Sequence, residues 1–214
     1  RPVVSHVRLA IHLLAALTLV AMCLWMALDR LATTTPDPAP LRSQRLVALV
    51  WAMTAATVIQ IGLGGLVAGL KAGHLSDTWP LMGGQLVPAG VFGDGGTRLA
   101  SILEPLTSYW VHRWFAFVVA VLVVAVAVTV RRVADEDQVL TVATRWVMGL
   151  VAVQITLGVL TVVLGVPTWT ALAHQGVGFV LFSALLVVAH GVMRAARTEH
   201  SISTQRASTP EGFG

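Results

Sequence analysis

Three histidines in this 214-residue chain occupy similar positions and are candidates for metal binding. His12, His112 and His174 each lie near the start of a long apolar segment that is almost free of charge. Ionisable side chains inside such segments are rare and are usually functional. A neutral imidazole with a free nitrogen can bind zinc, copper or haem iron. The three histidines are therefore the first residues to consider for chemistry.

The residues around these histidines favour haem over zinc or copper. A zinc or copper site made of histidines needs further ligands, and Glu104 is the only acidic residue or cysteine near that depth. Haem needs only two axial histidines from facing helices, with glycines and aromatic side chains around the macrocycle. Neighbouring apolar segments supply the glycines, and Phe117 and Phe179 are suitable aromatics. The predicted pair of iron ligands is His112 and His174.

Arg113 is the only charged residue inside a predicted span, and it follows His112 directly. Its guanidinium suits the carboxylates of haem propionates, and the competing interpretation is an arginine that extends to lipid headgroups. His12 has no histidine partner in this chain, so it would need one from a helix that the chain lacks. The remaining histidines are predicted to be solvated or interfacial: His6, His74, His190 and His200.

The composition is that of an integral membrane protein. Hydrophobic residues make up 56% of the chain and charged residues 11%, against about 25% charged residues in soluble domains. A charge at the centre of a span costs at least about 2.5 kcal/mol, so uncharged stretches mark the spans. They predict an all-α, polytopic bundle of five transmembrane helices. The spans cover about residues 9–28, 46–70, 107–130 and, on either side of a turn at 165–168, the uncharged stretch 146–193.

The basic residues predict the orientation of the chain in the membrane. They are scattered between the spans in ones to threes, which indicates membrane topology and no nucleic-acid partner. Nine lie on one side and four on the other, so the positive-inside rule predicts an external N-terminus and a cytoplasmic C-terminus. The long loop 71–106 is then external, either as a lid or as a flexible connector. The polar residues 197–214 are predicted to form a disordered cytoplasmic tail.

A two-helix unit occurs twice in the chain. The matched segments are Q-I-x-L-G-x-L at 60–66 and 154–160, Thr-Trp at 78–79 and 168–169, and H-x-x-x-x-F-V at 112–118 and 174–180. Duplicated transmembrane units often place a site at the interface between the repeats. The repeat therefore predicts that the two copies together form a four-helix, haem-binding unit. The glutamines of the first motif could bond a neighbouring backbone or a bound ligand, and the sequence does not separate the two.

These motifs resemble the haem A synthase family over about residues 3–196. Residues 5–13 are similar to the start of the family's fourth helix, and 64–73 with 77–84 resemble its fifth helix and the following loop. The pairs His112-Arg113 and His174-Gln175 match the starts of its sixth and eighth helices. The resemblance therefore implies that the chain contains helices four to eight of an eight-helix protein.

That family consists of two four-helix halves, each with two histidines facing one haem. The resemblance implies that His112 and His174 hold haem b in the back half. It also implies that His12 is catalytic, as one axial ligand of the substrate haem in the front half. Residues 1–45 would be the last front-half helix and a cytoplasmic linker, and 46–196 the back-half bundle.

The implied activity is an oxidoreductase of a bacterial plasma membrane that oxidises the methyl group of haem O to the formyl group of haem A. The product supplies cytochrome c oxidase. The implied partners are haem O, the lipid bilayer, the missing front half, haem O synthase and the oxidase assembly system. Because the first three helices are absent, this chain alone is expected to be inactive.

Two other functions are compatible with parts of the sequence. A non-catalytic membrane cytochrome b would transfer electrons only, but it usually needs haems near both faces, and the inner level offers His190 alone. A transporter or structural membrane protein without a cofactor would explain the repeat but not three histidines at one depth. Formation of a formyl product separates the first alternative from the synthase, and absence of a pigment would favour the second.

Overall fold

The computed structural model describes residues 5–34, 41, 43–93, 99–134 and 137–208, without the side chains of 99–100 and 200–208. Five α-helices make up most of this part of the chain, and it contains no strand beyond one isolated bridge between Met82 and Gln85. The helices are α1 (His6–Ala32), α2 (Gln44–Gly69), α3 (Pro105–Val133), α4 (Gln138–Val163) and α5 (Thr168–Ser208). All five are long and apolar enough to cross a membrane. The prediction of an all-α, multi-pass membrane bundle is confirmed.

The helix boundaries follow local capping signals. The Ser43 side chain accepts a hydrogen bond from the amide of Leu46 at the start of α2, and Asp137 does the same for Leu140 at the start of α4. Between α4 and α5, Gly165 has a φ of 75°, in the left-handed region that glycine adopts without penalty. The predicted turn at 165–168 is therefore present.

The last helix is longer than the sequence predicts. Residues 197–214 are predicted to be disordered, but α5 continues to Ser208, so that prediction is wrong for 197–208. The segment 193–199 contains Met, Arg, Ala and Glu, which are strong helix formers, and they extend the helix beyond the apolar span. Residues 209–214 lie outside the described residues.

Helices α2 to α5 form an antiparallel four-helix bundle, and α1 packs on its outside against α2 and α5. Most of the apolar core lies toward one end of this bundle, where α2 and α4 begin and α3 and α5 return. Its fully buried side chains include Leu46, Val50, Met53, Val126, Val130, Leu185, Val188 and Val192. The other end carries His112 and His174, and we call it the histidine end.

Glycines of α2 allow α1 to approach closely. A Cβ atom at Gly65 would lie 3.3 Å from the Cα atom of Ala10, and one at Gly69 would lie 2.8 Å from the Cα atom of His6. The Gly-x-x-x-Gly pair is therefore a helix-packing motif.

The long connection between α2 and α3 is tied to the first turns of α3. Tyr109 donates a hydrogen bond to the carbonyl of Ser76 at 2.9 Å, and Trp110 donates to the carbonyl of Leu86 at 2.8 Å. The hydroxyl of Thr107 donates to the carbonyl of Val91. These contacts favour an anchored cover over a flexible connector for the described part of the loop.

Candidate functional site

His112 and His174 lie about two turns inside the first residues of α3 and α5. Both side chains are partly buried within the bundle. Each ring packs against the preceding helix of its own repeat, His112 on α2 and His174 on α4. The structure therefore places the two histidines that the sequence selects as a pair at the same end of the bundle.

The ring of His112 is held between two residues of α2. The Nε2 atom of Gln60 donates to the main-chain oxygen of His112 at 3.0 Å and lies 3.2 Å from its Nδ1 atom. One turn further along α2, a Cβ atom at Gly64 would lie 3.1 Å from the Cε1 atom of His112. A larger residue at that position would crowd the ring, because carbon atoms prefer about 3.5–4.0 Å.

The ring of His174 has the corresponding surroundings on α4. The Nε2 atom of Gln154 lies 3.4 Å from the Nε2 atom of His174, and a Cβ atom at Gly158 would lie 3.1 Å from its Cε1 atom. The Nδ1 atom of His174 bonds the main-chain oxygen of Gln154 at 3.1 Å. The glutamine and the glycine of each repeat thus form a cradle for one histidine.

The donor set of this site fits haem better than an isolated metal ion. Across the described residues, no group of three or more His, Cys, Asp or Glu side chains is placed to hold a metal ion. Two facing histidines are sufficient for haem. Three buried polar atoms at this site have no hydrogen-bond partner among the residues that the structure describes, namely Oε1 of Gln60, Oε1 of Gln154 and Nη1 of Arg113. Such atoms are uncommon in folded proteins, and a bound group with carboxylates and polar edges would satisfy them.

Arg113 connects the candidate site to the loop. Its Nη2 atom donates to the carbonyls of Thr78 at 2.7 Å and Pro80 at 3.3 Å, and its guanidinium carbon lies 5.1 Å from the centre of the Tyr109 ring. Because Nη1 is buried and has no hydrogen-bond partner in the described part of the chain, one half of the guanidinium anchors the loop and the other half is free to donate to a carboxylate. The sequence did not predict the anchoring role.

His12 is not part of the cradle at either histidine. It is exposed on α1, whereas the neighbouring Leu13 and Leu14 contact glycines of α2. The structure therefore leaves His12 available to a group outside the four-helix bundle.

Comparison with known proteins identifies the family. The family model described as cytochrome oxidase assembly protein matches residues 1–186. The chain belongs to this family. It is 41% identical over 194 residues to haem A synthase of Rhizorhabdus wittichii, covering 90% of this chain and 53% of the relative. It is 38% identical over 197 residues to haem A synthase of Erythrobacter litoralis, covering 92% and 56%.

The similarity to the cytochrome oxidase assembly proteins covers only part of their length. The haem A synthase of Sphingopyxis alaskensis is 37% identical over 199 residues, which cover 92% of this chain and 54% of the relative. The chain spans about half the length of the curated relatives it matches. No solved structure matches the chain.

A second polar cluster lies at the opposite end of this family member. His190 is only 9% exposed, its Nε2 atom is 2.8 Å from Oδ1 of Asp29, and its ring meets that of Trp25 edge-on at 5.1 Å. The cluster borders a cavity of about 290 Å³ between α1 and α5. The sequence predicts an interfacial His190, and the signal that could have revealed the pair is Asp29, which the topology places at the same depth.

Proposed function

We propose that this chain is the haem b-binding back half of a haem A synthase together with the helix that precedes it. The observation that carries the proposal is the repeated cradle, in which Gln60 with Gly64 and Gln154 with Gly158 each hold one histidine. The relatives named haem A synthase match nearly the whole chain but about half of their own length. A back-half function agrees with both facts.

His112 and His174 would bind the iron from facing helices, and the unpartnered Nη1 of Arg113 would bind a propionate. When bound, haem b supplies reversible one-electron chemistry. The two imidazoles of this chain would orient the group. The loop would also restrict the access of water to the site, since Tyr109, Trp110 and Arg113 hold it at the histidine end.

His12 would serve the other half of the protein. Its exposed position on α1 allows it to face a second histidine outside this chain, at the site that takes the substrate haem O. We assign the oxidation of the haem O methyl group to the formyl group of haem A to the protein that contains both halves. Its partners would be haem O synthase and the cytochrome oxidase assembly system.

The membrane placement belongs to the same proposal. The histidine end would face the outside of a bacterial plasma membrane. The C-terminus of α5 would be cytoplasmic. Arg30 in the last turn of α1 and Arg131 and Arg132 in the last turn of α3 support this orientation, because they lie at the end that the positive-inside rule assigns to the cytoplasm.

A product assay tests this function against a membrane cytochrome b. The complete protein is supplied with haem O and a reductant in mild detergent under air, and the extracted haems are separated by chromatography. A haem with a formyl group, lost in the His12→Ala variant, is the expected result. A protein that keeps its low-spin haem spectrum but leaves haem O unchanged would refute the synthase and favour electron transfer alone.

A further inference from the structure

The cavity of about 290 Å³ between α1 and α5 lies at the end of the bundle opposite the histidine end, and we call it the polar cavity. Its polar and aromatic lining residues are Trp25, Asp29, Thr33, His190, Arg194 and Arg197. The proposed haem site uses none of these side chains. The polar cavity is therefore a separate feature of the molecule, and its lining indicates what it can bind.

The polar cavity lies where two apolar spans end. Asp29 is the first charged residue after the apolar segment of α1, and Arg194 is the first after the uncharged stretch 146–193. Because α1 and α5 run in the same direction, these two positions are at one depth. Trp25 lies one turn before Asp29, and tryptophan is enriched at the interface between lipid chains and water. The cavity is therefore at the level of lipid headgroups.

The arginines of α5 suit a phosphate group. Arg194 and Arg197 are one turn apart and both line the cavity. The Nη2 atom of Arg194 donates to the main-chain oxygen of Ala32 at 2.9 Å, which holds this side chain across the gap between the two helices. A guanidinium has five N–H donors, so it can bind a phosphate while it keeps its bonds to the protein. Basic pockets between transmembrane helices bind lipid headgroups in this way.

Asp29 determines which headgroup fits. Its Oδ1 atom lies 2.8 Å from the Nε2 atom of His190, and its side chain is 53% exposed. A carboxylate beside a bound phosphate repels further negative charge and attracts a cation. A phosphoethanolamine headgroup has both a phosphate and an ammonium with three N–H donors, whereas phosphoglycerol has no cation and phosphocholine has no N–H donor. The mixed charge of the lining therefore matches phosphoethanolamine.

We propose that the polar cavity binds the headgroup of an aminophospholipid of the surrounding bilayer, with its phosphate at Arg194 and Arg197 and its ammonium at Asp29. The acyl chains would lie along α1 toward the middle of the membrane. Met22 and Met26 are exposed there, one turn before the cavity, and offer apolar contacts to the chains. The bound lipid would join α1 to α5, and the proposal is independent of the haem site.

Native mass spectrometry of the delipidated chain in detergent tests this proposal, because it resolves each bound lipid by mass. The chain is titrated separately with phosphatidylethanolamine, phosphatidylglycerol and phosphatidylcholine that have the same acyl chains. We expect one phosphatidylethanolamine to bind about three- to fivefold more tightly than either other lipid, as one partly exposed ion pair allows. Equal affinities for the three lipids, or tighter binding of phosphatidylglycerol, would overturn the proposal.

Two substitutions separate the contacts of the headgroup. Asp29→Asn keeps a hydrogen-bonding side chain beside His190 but removes the negative charge, so the preference for phosphatidylethanolamine should disappear. Arg197→Gln should weaken all three lipids alike, because each has a phosphate. Arg30→Gln is the matched control, since Arg30 is an exposed arginine of α1 that lies outside the cavity lining, and it should leave lipid binding unchanged.

Two results from these variants would refute the site: a lipid preference that survives Asp29→Asn, or equal lipid binding by the Arg197→Gln and Arg30→Gln variants. If Asp29→Asn does not fold, the preference of the unsubstituted chain and the comparison of the two arginine variants decide.

A soluble phosphate has the same chemistry as the headgroup, and competition distinguishes the two sources. Inorganic phosphate and glycerophosphoethanolamine, which lacks acyl chains, are each added at the concentration at which phosphatidylethanolamine saturates the site. We expect the lipid to stay bound, because its acyl chains add apolar contacts that the soluble compounds lack. Displacement by either compound would show a site for free phosphate compounds and contradict a lipid site.

Discussion

The substitution Gly158→Ala tests the cradle around His174 with a single methyl group. The new Cβ atom would lie 3.1 Å from the Cε1 atom of His174, about 0.4 Å inside the closest comfortable carbon contact. The ring must therefore move by several tenths of an ångström, and an iron ligand tolerates such a shift poorly. We expect haem affinity to fall about tenfold or more, as it does when the surroundings of other metal ligands are changed.

Gly149→Ala is the control, because this glycine lies on the same helix α4 and its Cβ atom would have no neighbour within 4 Å. Both substitutions should stabilise α4 by up to about 1 kcal/mol, because alanine has a higher helix propensity than glycine. Crowding at His174 offsets that gain in Gly158→Ala by about 1–3 kcal/mol.

The assay is a haem titration of the purified apoprotein, followed by the low-spin absorption bands, together with thermal unfolding of both variants. We expect Gly149→Ala to bind haem like the unsubstituted chain and to be at least as stable. Equal haem affinity in Gly158→Ala and Gly149→Ala would refute the cradle, because it would show that the ring of His174 does not need the space at Gly158.

Three further predictions follow from single contacts. His12→Ala should leave the low-spin spectrum of the chain unchanged, since this residue is exposed and outside the cradle; a lost spectrum would contradict that separation. Asp29→Ala should lower the free energy of unfolding by about 1 kcal/mol, because it removes a half-exposed partner of His190. The haem spectrum should not change, and a change would link the two ends of the bundle. Arg113→Gln should raise the rate of amide hydrogen exchange in residues 76–86, because the hydrogen bonds to the carbonyls of Thr78 and Pro80 are lost. Unchanged exchange rates would show that the loop needs no such anchor.

Hydropathy and repetition predict the framework of the site. Uncharged apolar stretches of about 20 residues or more are long enough to span a membrane, so five spans and their alternating directions follow from the sequence. The repeat then places His112 and His174 at one end of the bundle. Their common depth is a consequence of helix geometry alone, which is why spacing is sufficient to select the pair.

The contacts that distinguish similar residues depend on side-chain direction, which the sequence does not define. Gln60 and Gln154 occupy equal positions in the repeat, but their amides approach different ring nitrogens. Likewise, the pairing of His190 with Asp29 joins residues far apart in the chain, and it depends on how α1 rotates against α5. Side-chain packing determines such rotations, whereas hydropathy predicts only the depth of a residue in the membrane.

The loop and the C-terminal helix show two other limits of sequence analysis. Glycine-rich composition suggests mobility, but Tyr109, Trp110 and Arg113 bind carbonyl groups of the loop that any residue could provide. Main-chain acceptors have no sequence signature. Beyond residue 197, polar composition predicts disorder, but α5 continues to Ser208.

The most direct test of the account is the reduced-minus-oxidised visible spectrum of this chain, purified in mild detergent, beside its His112→Ala and His174→Ala variants. We expect a sharp low-spin b-type signal that both substitutions abolish, because each removes one of the two axial ligands. A folded chain without pigment, or a signal that persists in both variants, would contradict the haem site at the centre of this account.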